Sequence, residues 1–454
     1  MFLYGSIRGD KMSRQGTVAI LGRPNVGKSS FFNYVTGKRI SIVEDTPGVT
    51  RDRIYEEVEW SGKKFTLIDT GGLEPNSTDT ILQQMKRQAE LAVELADIIL
   101  FMVDMKDGVT ASDMDIATLI RKTKKPVILV VNKVDKVGEP PADIYEFYNL
   151  GLGDFYSISS AHGLGIGEVL DAILDNLPEY EDDDAESNLI RVAVVGKPNA
   201  GKSSLINRIL GEERVIVSNI PGTTRDAIDT YVTKDDQDFC FIDTAGMRKR
   251  GKITDNIERY STMRSLTAVD RSDVVVIMID AQDGVTEQDT KIAGYAHNKG
   301  KACIIAINKW DLIEKETNTM EDYKKTVQEK LSFMLYAPVL FISALTGQRV
   351  TKLYEMIKFV ADQASQRIST GMLNDVLNEA VAMVQPPSDK GKRLKIYYMT
   401  QIKVKPPTFA VFVNRAELAH FSYMRYLENR IRTNFGFEGT PIVFKIREKD
   451  SGDV

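Results

Sequence analysis

Two lysines, each inside a glycine-containing loop, are the residues whose surroundings indicate chemistry most clearly. Lys28 and Lys202 both end the pattern Gly-x-x-x-x-Gly-Lys before a serine, at an offset of 174 residues. Glycines let such a loop point several backbone N–H groups at one anion, and the lysine reaches the β- and γ-phosphates of a nucleotide. The two predicted phosphate loops are Gly22, Arg23, Pro24, Asn25, Val26, Gly27, Lys28, Ser29 and Gly196, Lys197, Pro198, Asn199, Ala200, Gly201, Lys202, Ser203.

Three further motifs follow each loop in the same order. PGVTRD and DTGG of the first copy recur as PGTTRD and DTAG at the offset of 174, and NKVD recurs as NKWD at an offset of 176. A single phosphate-loop match arises by chance in roughly a few per cent of chains of this length. Two matches in register, each with the same three followers, indicate a tandem duplication of a nucleotide-hydrolysing switch domain.

The motifs after each loop contain the oxygen ligands that Mg²⁺ needs. We expect the hydroxyls of Ser29 and Ser203 to bind the metal, and the strand-ending carboxylates of Asp69 and Asp243 to hold its shell through water. Thr50 and Thr224 lie in proline-containing segments that we expect to close on Mg²⁺ and the γ-phosphate and to open after hydrolysis. The predicted catalytic set is Lys28, Thr50, Asp69, Gly72, Lys202, Thr224, Asp243 and Gly246; Thr70, Gly71, Leu73, Thr244, Ala245 and Met247 are predicted to line the nucleotide.

The NKxD motifs predict which base is bound. Guanine presents N1–H and N2–H₂ as adjacent donors, and one carboxylate, of Asp135 or Asp311, accepts both. A site built for such bonds rejects an analogue without them by roughly 10⁴–10⁵, so the motif favours GTP over ATP. The other predicted base contacts are Asn132, Lys133, Val134, Asn308, Lys309 and Trp310, with Ser160-Ala161 and Ser343-Ala344 giving backbone N–H groups to the guanine O6.

Short apolar runs before each loop and helix-like segments after it predict an α/β fold. We expect two tandem P-loop G (GTP-binding) domains, each a mostly parallel, doubly wound sheet with helices on both faces, followed by a small α+β domain. Ser61-Gly62 and Asp235-Asp236 are predicted hairpin turns. The predicted boundaries are 1–13 for an N-terminal extension, 14–178 for G domain 1, 179–189 for an acidic linker, 190–366 for G domain 2 and 367–454 for the basic α+β domain.

Charge is distributed unevenly along the chain. The net charge is −5, yet residues 372–449 contain thirteen Lys/Arg and seven Asp/Glu. This segment is therefore near +6 and favours an RNA-facing domain. Cys240 and Cys303 are expected to be buried thiols. No apolar run approaches the roughly 18 residues that span a bilayer, so we expect a cytoplasmic protein without a membrane partner.

Two G domains in tandem with a small basic domain resemble one bacterial family, the Der (EngA, double-Era) GTPases. The resemblance covers about residues 14–449 through GRPNVGKS, PGVTRD, DTGGL, NKVD, GKPNAGKS, PGTTRD, DTAGM and NKWD. It implies a KH-like C-terminal domain, hydrolysis of GTP to GDP with Mg²⁺, and a role in assembly of the large ribosomal subunit through its RNA. Relatives with asparagine in the phosphate loop, here Asn25 and Asn199, are commonly activated by K⁺, which implies potassium-stimulated turnover.

Two departures from related patterns bear on mechanism. Leu73 and Met247 occupy the position at which Ras-like enzymes place a water-orienting glutamine, and the family shares this absence. K⁺ beside the phosphates would supply charge that an arginine finger supplies elsewhere. The only GxxG of the basic domain, Gly436–Gly439, precedes a predicted strand and does not join two helices, so RNA contact is expected through other surfaces.

Four functions remain open on the sequence. The preferred one is a GTP-hydrolysing switch on ribosomal RNA, expected to be monomeric because duplication already supplies two sites. Against a GTPase of RNA modification, the sequence shows no modification-chemistry cysteine and no folate-type extra domain. Against a membrane-remodelling GTPase, it shows no apolar or strongly amphipathic stalk helices. A nucleotide-sensing RNA-binding scaffold with little turnover stays open because the glutamines are missing.

Overall fold

The computed structural model describes residues 16–37, 55–70, 86, 89–90, 92–94, 96–135, 142–178, 189–211, 216–217, 229–243, 257–389 and 392–448. Described residues up to 178 form one compact unit, and those from 189 onward form another.

The first unit is a six-stranded sheet with the order β2-β3-β1-β4-β5-β6, in which only β2 runs antiparallel to its neighbour. Every residue of β1 and β4 is buried, because both faces of these central strands are covered. Its strands are β1 (Gly16–Leu21), β2 (Tyr55–Trp60), β3 (Lys63–Asp69), β4 (Ile98–Asp104), β5 (Val127–Asn132) and β6 (Phe155–Ser157); its helices are α1 (Lys28–Gly37), α2 (Ala111–Ile120) and α3 (Ile166–Asn176), with a 3₁₀ helix at Ala142–Leu150.

The second unit begins with a seven-stranded sheet of order β13-β12-β11-β7-β10-β9-β8. Alternate residues of its central strand, Leu189–Val195, pack into two separate hydrophobic clusters, one on each face of the sheet. Its strands are β7 (Leu189–Val195), β8 (Ile216–Val217), β9 (Thr230–Lys234), β10 (Gln237–Phe241), β11 (Val274–Asp280), β12 (Ala302–Asn308) and β13 (Val339–Phe341); its helices are α4 (Lys202–Leu210), α5 (Ile257–Arg271), α6 (Glu287–Asn298), α7 (Thr319–Lys330) and α8 (Val350–Ser365), with 3₁₀ helices at Trp310–Leu312 and Ser332–Met334.

The same unit ends in a small α+β domain. Strand β16 pairs antiparallel with β17, which pairs parallel with β18. Two helices pack against this sheet around a core that includes Leu373, Phe409 and Leu427. The elements are α9 (Thr370–Met383), β14 (Ser388–Asp389), β15 (Lys392–Arg393), β16 (Ile396–Lys403), β17 (Thr408–Val413), a 3₁₀ helix at Ala416–Leu418, α10 (Phe421–Phe435) and β18 (Val443–Glu448).

The predicted fold class is confirmed, and local signals explain much of it. Both predicted hairpin turns form, with left-handed φ values of 47° at Ser61 and 50° at Asp235, which suits tight turns between antiparallel strands. Helix α9 begins at Thr370 because Ser369 caps it, its side chain accepting from the Met372 N–H. Cys240 and Cys303 are buried free thiols as predicted, and burial raises the pKa of each to about 12.

Candidate nucleotide-binding sites

Each phosphate loop connects a buried strand to the first turn of a helix. Gly27 and Gly201 have φ values of 100° and 98°, a region that side chains disfavour. A Cβ on either glycine would lie 2.1 Å from the side-chain nitrogen of Asn132 or Asn308. The last glycine of each loop is therefore required by packing against the base motif as well as by backbone conformation.

The motif asparagines hold the loops together. Asn132 Nδ2 donates to the Val26 carbonyl at 2.7 Å, and its Oδ1 accepts from the Ser160 N–H at 2.9 Å. Both bonds are buried, where a lost partner costs about 1–3 kcal/mol. The second copy repeats them from Asn308 Nδ2 to Ala200 O (2.8 Å) and from Ala344 N to Asn308 Oδ1 (2.9 Å).

These equivalent bonds give the register of the third loop between the two copies. They pair Ser160 with Ala344, so the two predicted dipeptides, Ser160-Ala161 and Ser343-Ala344, begin one residue apart in this register. A gapless match of residues 158–166 with 342–350 was the available signal. The same match indicates Ser159, which was not among the predicted site residues and whose Oγ donates to Asp135 Oδ1 at 2.8 Å.

The loop lysines are buried among backbone oxygens. Lys28 Nζ donates to the carbonyls of Gly22 and Arg23, both at 2.7 Å. Burial lowers the pKa of Lys28 to about 8, and the nearby Asp69 carboxylate opposes that effect. In the second copy Lys202 Nζ donates to the carbonyls of Gly196 (2.5 Å) and Lys197 (2.7 Å).

The predicted magnesium residues of the first copy lie together. Ser29 Oγ donates to Asp69 Oδ2 at 2.9 Å, so a hydroxyl and a carboxylate, both hard oxygen ligands, adjoin the phosphate loop. In the second copy Asp243 has a φ of 57° and its N–H donates to Asp229 Oδ1 at 2.9 Å. Outside the described residues lie Thr50, Gly71, Gly72, Leu73, Thr224, Thr244, Ala245, Gly246 and Met247.

The base motifs are anchored on neighbouring strands. Lys133 and Lys309 have left-handed φ values of 68° and 63° and form ion pairs with Asp104 and Asp280. The residues after them, Val134 and Trp310, donate backbone N–H groups to Ile158 and Ile342. Asp135 and Asp311 end the two motifs.

The remaining predicted residues differ in exposure. In the phosphate loops Val26 and Ala200 are buried, whereas Pro24, Asn25 and Asn199 are exposed; Thr70, which follows β3, is buried.

Comparison with known proteins assigns the family. A family model described as 50S ribosome-binding GTPase matches residues 17–133 and 191–309, and one described as KH-domain-like of EngA bacterial GTPase enzymes, C-terminal, matches residues 367–447. The chain is 72% identical over 433 residues to GTPase Der of Ruminiclostridium cellulolyticum, covering 95% of this chain and 98% of that protein. The chain belongs to the Der family of GTPases.

Other Der proteins match over nearly the same length. GTPase Der of Acetivibrio thermocellus is 71% identical over 433 residues, which is 95% of this chain and 98% of that protein. GTPase Der of Caldanaerobacter subterraneus is 57% identical over 438 residues, covering 96% and 99%. As a Der protein this chain is a GTPase with two guanine nucleotide-binding domains and a KH-like domain, and none of its described helices is long and apolar enough to cross a membrane.

The two sites of this Der GTPase differ beside the phosphate loops. In site one (loop 22–29 with NKVD), Arg23 Nε donates to both oxygens of the fully buried Asp113, at 3.0 and 3.2 Å. In site two (loop 196–203 with NKWD), Lys197 instead binds Asp283 at 2.6 Å. Oδ1 of Asp289, the counterpart of Asp113, has no hydrogen-bond partner among the described residues. Sequence reasoning missed these carboxylates because they lie about 90 residues from the loops.

Proposed function

We propose that this Der GTPase hydrolyses GTP with Mg²⁺ at both sites, is stimulated by K⁺, and acts as a monomeric cytoplasmic switch in assembly of the large ribosomal subunit. The observation that supports this most directly is the matched pair of family models. Both G domains match a model described as 50S ribosome-binding GTPase, and a KH-like domain follows them. That domain lies in the basic segment 372–449, which suits an RNA partner.

The residues beside the phosphate loop suit magnesium. When bound, Mg²⁺ neutralises charge that develops on the phosphate oxygens during transfer. Ser29 and Asp69 lie within hydrogen-bond distance of each other, and Ser203 and Asp243 are proposed as their counterparts. We propose that Thr50 and Thr224 complete the metal environment and that Gly72 and Gly246 give N–H groups to the γ-phosphate.

The proposed potassium stimulation rests on the exposed loop asparagines, because relatives with asparagine in the phosphate loop are commonly activated by K⁺. Asn25 and Asn199 have nearly identical left-handed φ values of 66° and 65°, so both copies present the same residue in the same backbone conformation. Turnover should therefore be faster in potassium than in sodium buffer at equal ionic strength. Equal rates in the two buffers would contradict this part of the proposal.

The switch function is tested by co-sedimentation with isolated large ribosomal subunits in GDP, GTP and a non-hydrolysable GTP analogue, at two salt concentrations. We expect binding with the analogue and release with GDP. Arg248, Lys249 and Arg250 follow the DTAG motif of the second copy, outside the described residues, and we propose that these cations contact RNA phosphate. Neutralising them should weaken subunit binding without changing GTP affinity. Absence of binding in every nucleotide state would refute the ribosomal role.

A scaffold with little useful turnover is the second candidate. The apolar residues Leu73 and Met247, where a water-orienting glutamine stands in other switches, favour slow hydrolysis. Potassium-dependent turnover of GTP by the purified chain separates the two functions, because a pure scaffold would release phosphate no faster in potassium than in sodium.

A further inference from the structure

The carboxylates of the two base motifs have different partners. In site one, Asp135 Oδ2 accepts from Lys106 Nζ at 2.8 Å and Oδ1 accepts from Ser159 Oγ at 2.8 Å. Both hydrogen bonds lower the pKa of Asp135, and the one from Lys106 has the larger effect. In site two, Asp311 Oδ1 is buried and has no hydrogen-bond partner within the part of the chain that the structure describes.

Lys106 has a counterpart of different charge in site two. The N–H of Lys106 donates to Asp104 Oδ1 at 2.9 Å, and the N–H of Gln282 donates to Asp280 Oδ1 at the same distance. Each residue therefore occupies the same position in the same turn after a central strand. The backbone geometry matches, so the difference between the sites lies in the side chain, a cation in one and a neutral amide in the other.

This difference bears on guanine binding. The N1–H and N2–H₂ donors of guanine need the carboxylate that Lys106 already binds, so the base must share Asp135 with the ammonium group or displace it. An exposed ion pair of this kind corresponds to a factor of about 1.5 to 5 in affinity. At site two none of the described lysines binds Asp311, and guanine satisfies a desolvated Asp311 oxygen that has no donor among the described residues.

We propose that Lys106 is an affinity-determining residue that weakens guanine nucleotide binding at site one, so that site two fills first and retains nucleotide longer. The proposal rests on the two-site nucleotide switch described above and adds an order of loading to it. This asymmetry arises at the base and is separate from the difference between Arg23 and Lys197 beside the phosphate loops.

The test exchanges the two side chains in the full-length protein. Lys106→Gln is measured at site one in an Asp311→Ala background, and Gln282→Lys is measured at site two in an Asp135→Ala background. Dissociation constants are obtained with a fluorescent GDP analogue. We expect Lys106→Gln to tighten GDP binding at site one and Gln282→Lys to weaken it at site two, each by a factor of about 1.5 to 5. Lys106 has a side chain that is 62% exposed, so the exchange should leave the fold intact.

Two further measurements identify the ion pair as the cause. Raising the salt concentration should shrink the effect of Lys106→Gln, because salt screens exposed charges. Lys106→Arg preserves the charge and should bind GDP as the unaltered chain does.

The outcomes are decisive for this residue alone. Unchanged or weaker GDP binding by Lys106→Gln, or an unaffected site two in Gln282→Lys, would overturn the proposal. These constants are measured without ribosomal subunits. A contrary result for these constants therefore leaves the proposed switch function intact. A failure of the switch function would instead show in co-sedimentation of the unaltered chain.

Discussion

Arg23 and Lys197 differ in one functional group, and a buried carboxylate depends on which is present. Lys cannot reproduce the bonds that Arg23 makes to Asp113, so Arg23→Lys should destabilise the first G domain by about 1–3 kcal/mol. Lys197→Arg should stabilise the second G domain by supplying a donor to Asp289 Oδ1, which has none among the described residues. Calorimetry of the full-length chain, with the unfolding of each domain resolved, measures both effects.

The reciprocal design supplies its own control. If Lys197→Arg leaves the unfolding of the second G domain unchanged, Asp289 is satisfied in solution by another group such as water. A stabilising Arg23→Lys would contradict the role of the Asp113 bonds outright.

Lys28 gives nucleotide binding a pH dependence with a defined sign. Burial lowers its pKa from 10.5 to about 8, so the folded chain gives up this proton before the unfolded chain does. The contribution of Lys28 to stability is therefore least below pH 8 and rises between about pH 8 and 10.5. Phosphates favour the charged form, so GDP binding at site one should take up a proton at pH 8.5 and none at pH 6.5.

Titration calorimetry in two buffers of different ionisation enthalpy measures that uptake. The measurement uses the Asp311→Ala background, which restricts it to site one. Lys28→Arg, whose guanidinium does not titrate in this range, is the matched control. Uptake that persists in this variant would assign the proton to another group.

At the scale of elements, the GxxG segment 436–439 joins the KH-like domain to the second G domain. Phe437 is fully buried. The carbonyl of Gly439 accepts from the Cys303 N–H at 2.6 Å, and its own N–H donates to the Tyr336 carbonyl at 2.7 Å. Phe437 N donates to Gln363 Oε1 at 2.6 Å. The segment thus forms hydrogen bonds with three parts of the second G domain, at Cys303, Tyr336 and Gln363, and holds the two domains together.

Gly439→Ala should weaken this joint. Gly439 has a φ of 80°, and an added Cβ would lie 2.5 Å from a methyl group of Val360. Strain and overpacking each cost about 1–3 kcal/mol, so unfolding in urea should begin at lower concentration. Gly371→Ala, where a Cβ would meet nothing within 4 Å, is the control. Equal midpoints for the two variants would contradict the docking role.

At the scale of the whole molecule, positive charge is concentrated in the C-terminal domain. Segment 372–449 is near +6 although the chain is −5. If this domain contacts ribosomal RNA as proposed, neutralising the exposed Lys445 and Arg447 of β18 should weaken subunit binding. It should also reduce the slope of log affinity against log salt by about 1.5.

The matched control removes equal charge from another surface. Lys324 and Lys325 are exposed on α7 of the second G domain, and their replacement by glutamine should leave the salt slope unchanged. Equal effects of the two double variants would point to a general dependence on net charge, contrary to an RNA-binding role for the KH-like domain.

The duplication, the α/β class and the two hairpins are predictable from the sequence alone, because each depends on motifs of residues close together in the chain. A glycine loop between a strand and a helix is recognised within about a dozen residues. The NKxD motif indicates guanine because one carboxylate accepts both of its adjacent donors. The register of Ser159 can also be read from the sequence, through the gapless match of residues 158–166 with 342–350.

The contacts between residues distant in the chain are visible only in the folded protein. Asn132 reaches Val26 across 106 residues, Arg23 reaches Asp113 across 90, and Lys106 meets Asp135 from the neighbouring strand. Parallel strands bring these residues together at their carboxyl ends, but the side chain that fills each position depends on packing throughout the sheet. Local patterns therefore predict the elements and motifs, while the partners of the buried and charged side chains follow from the folded chain.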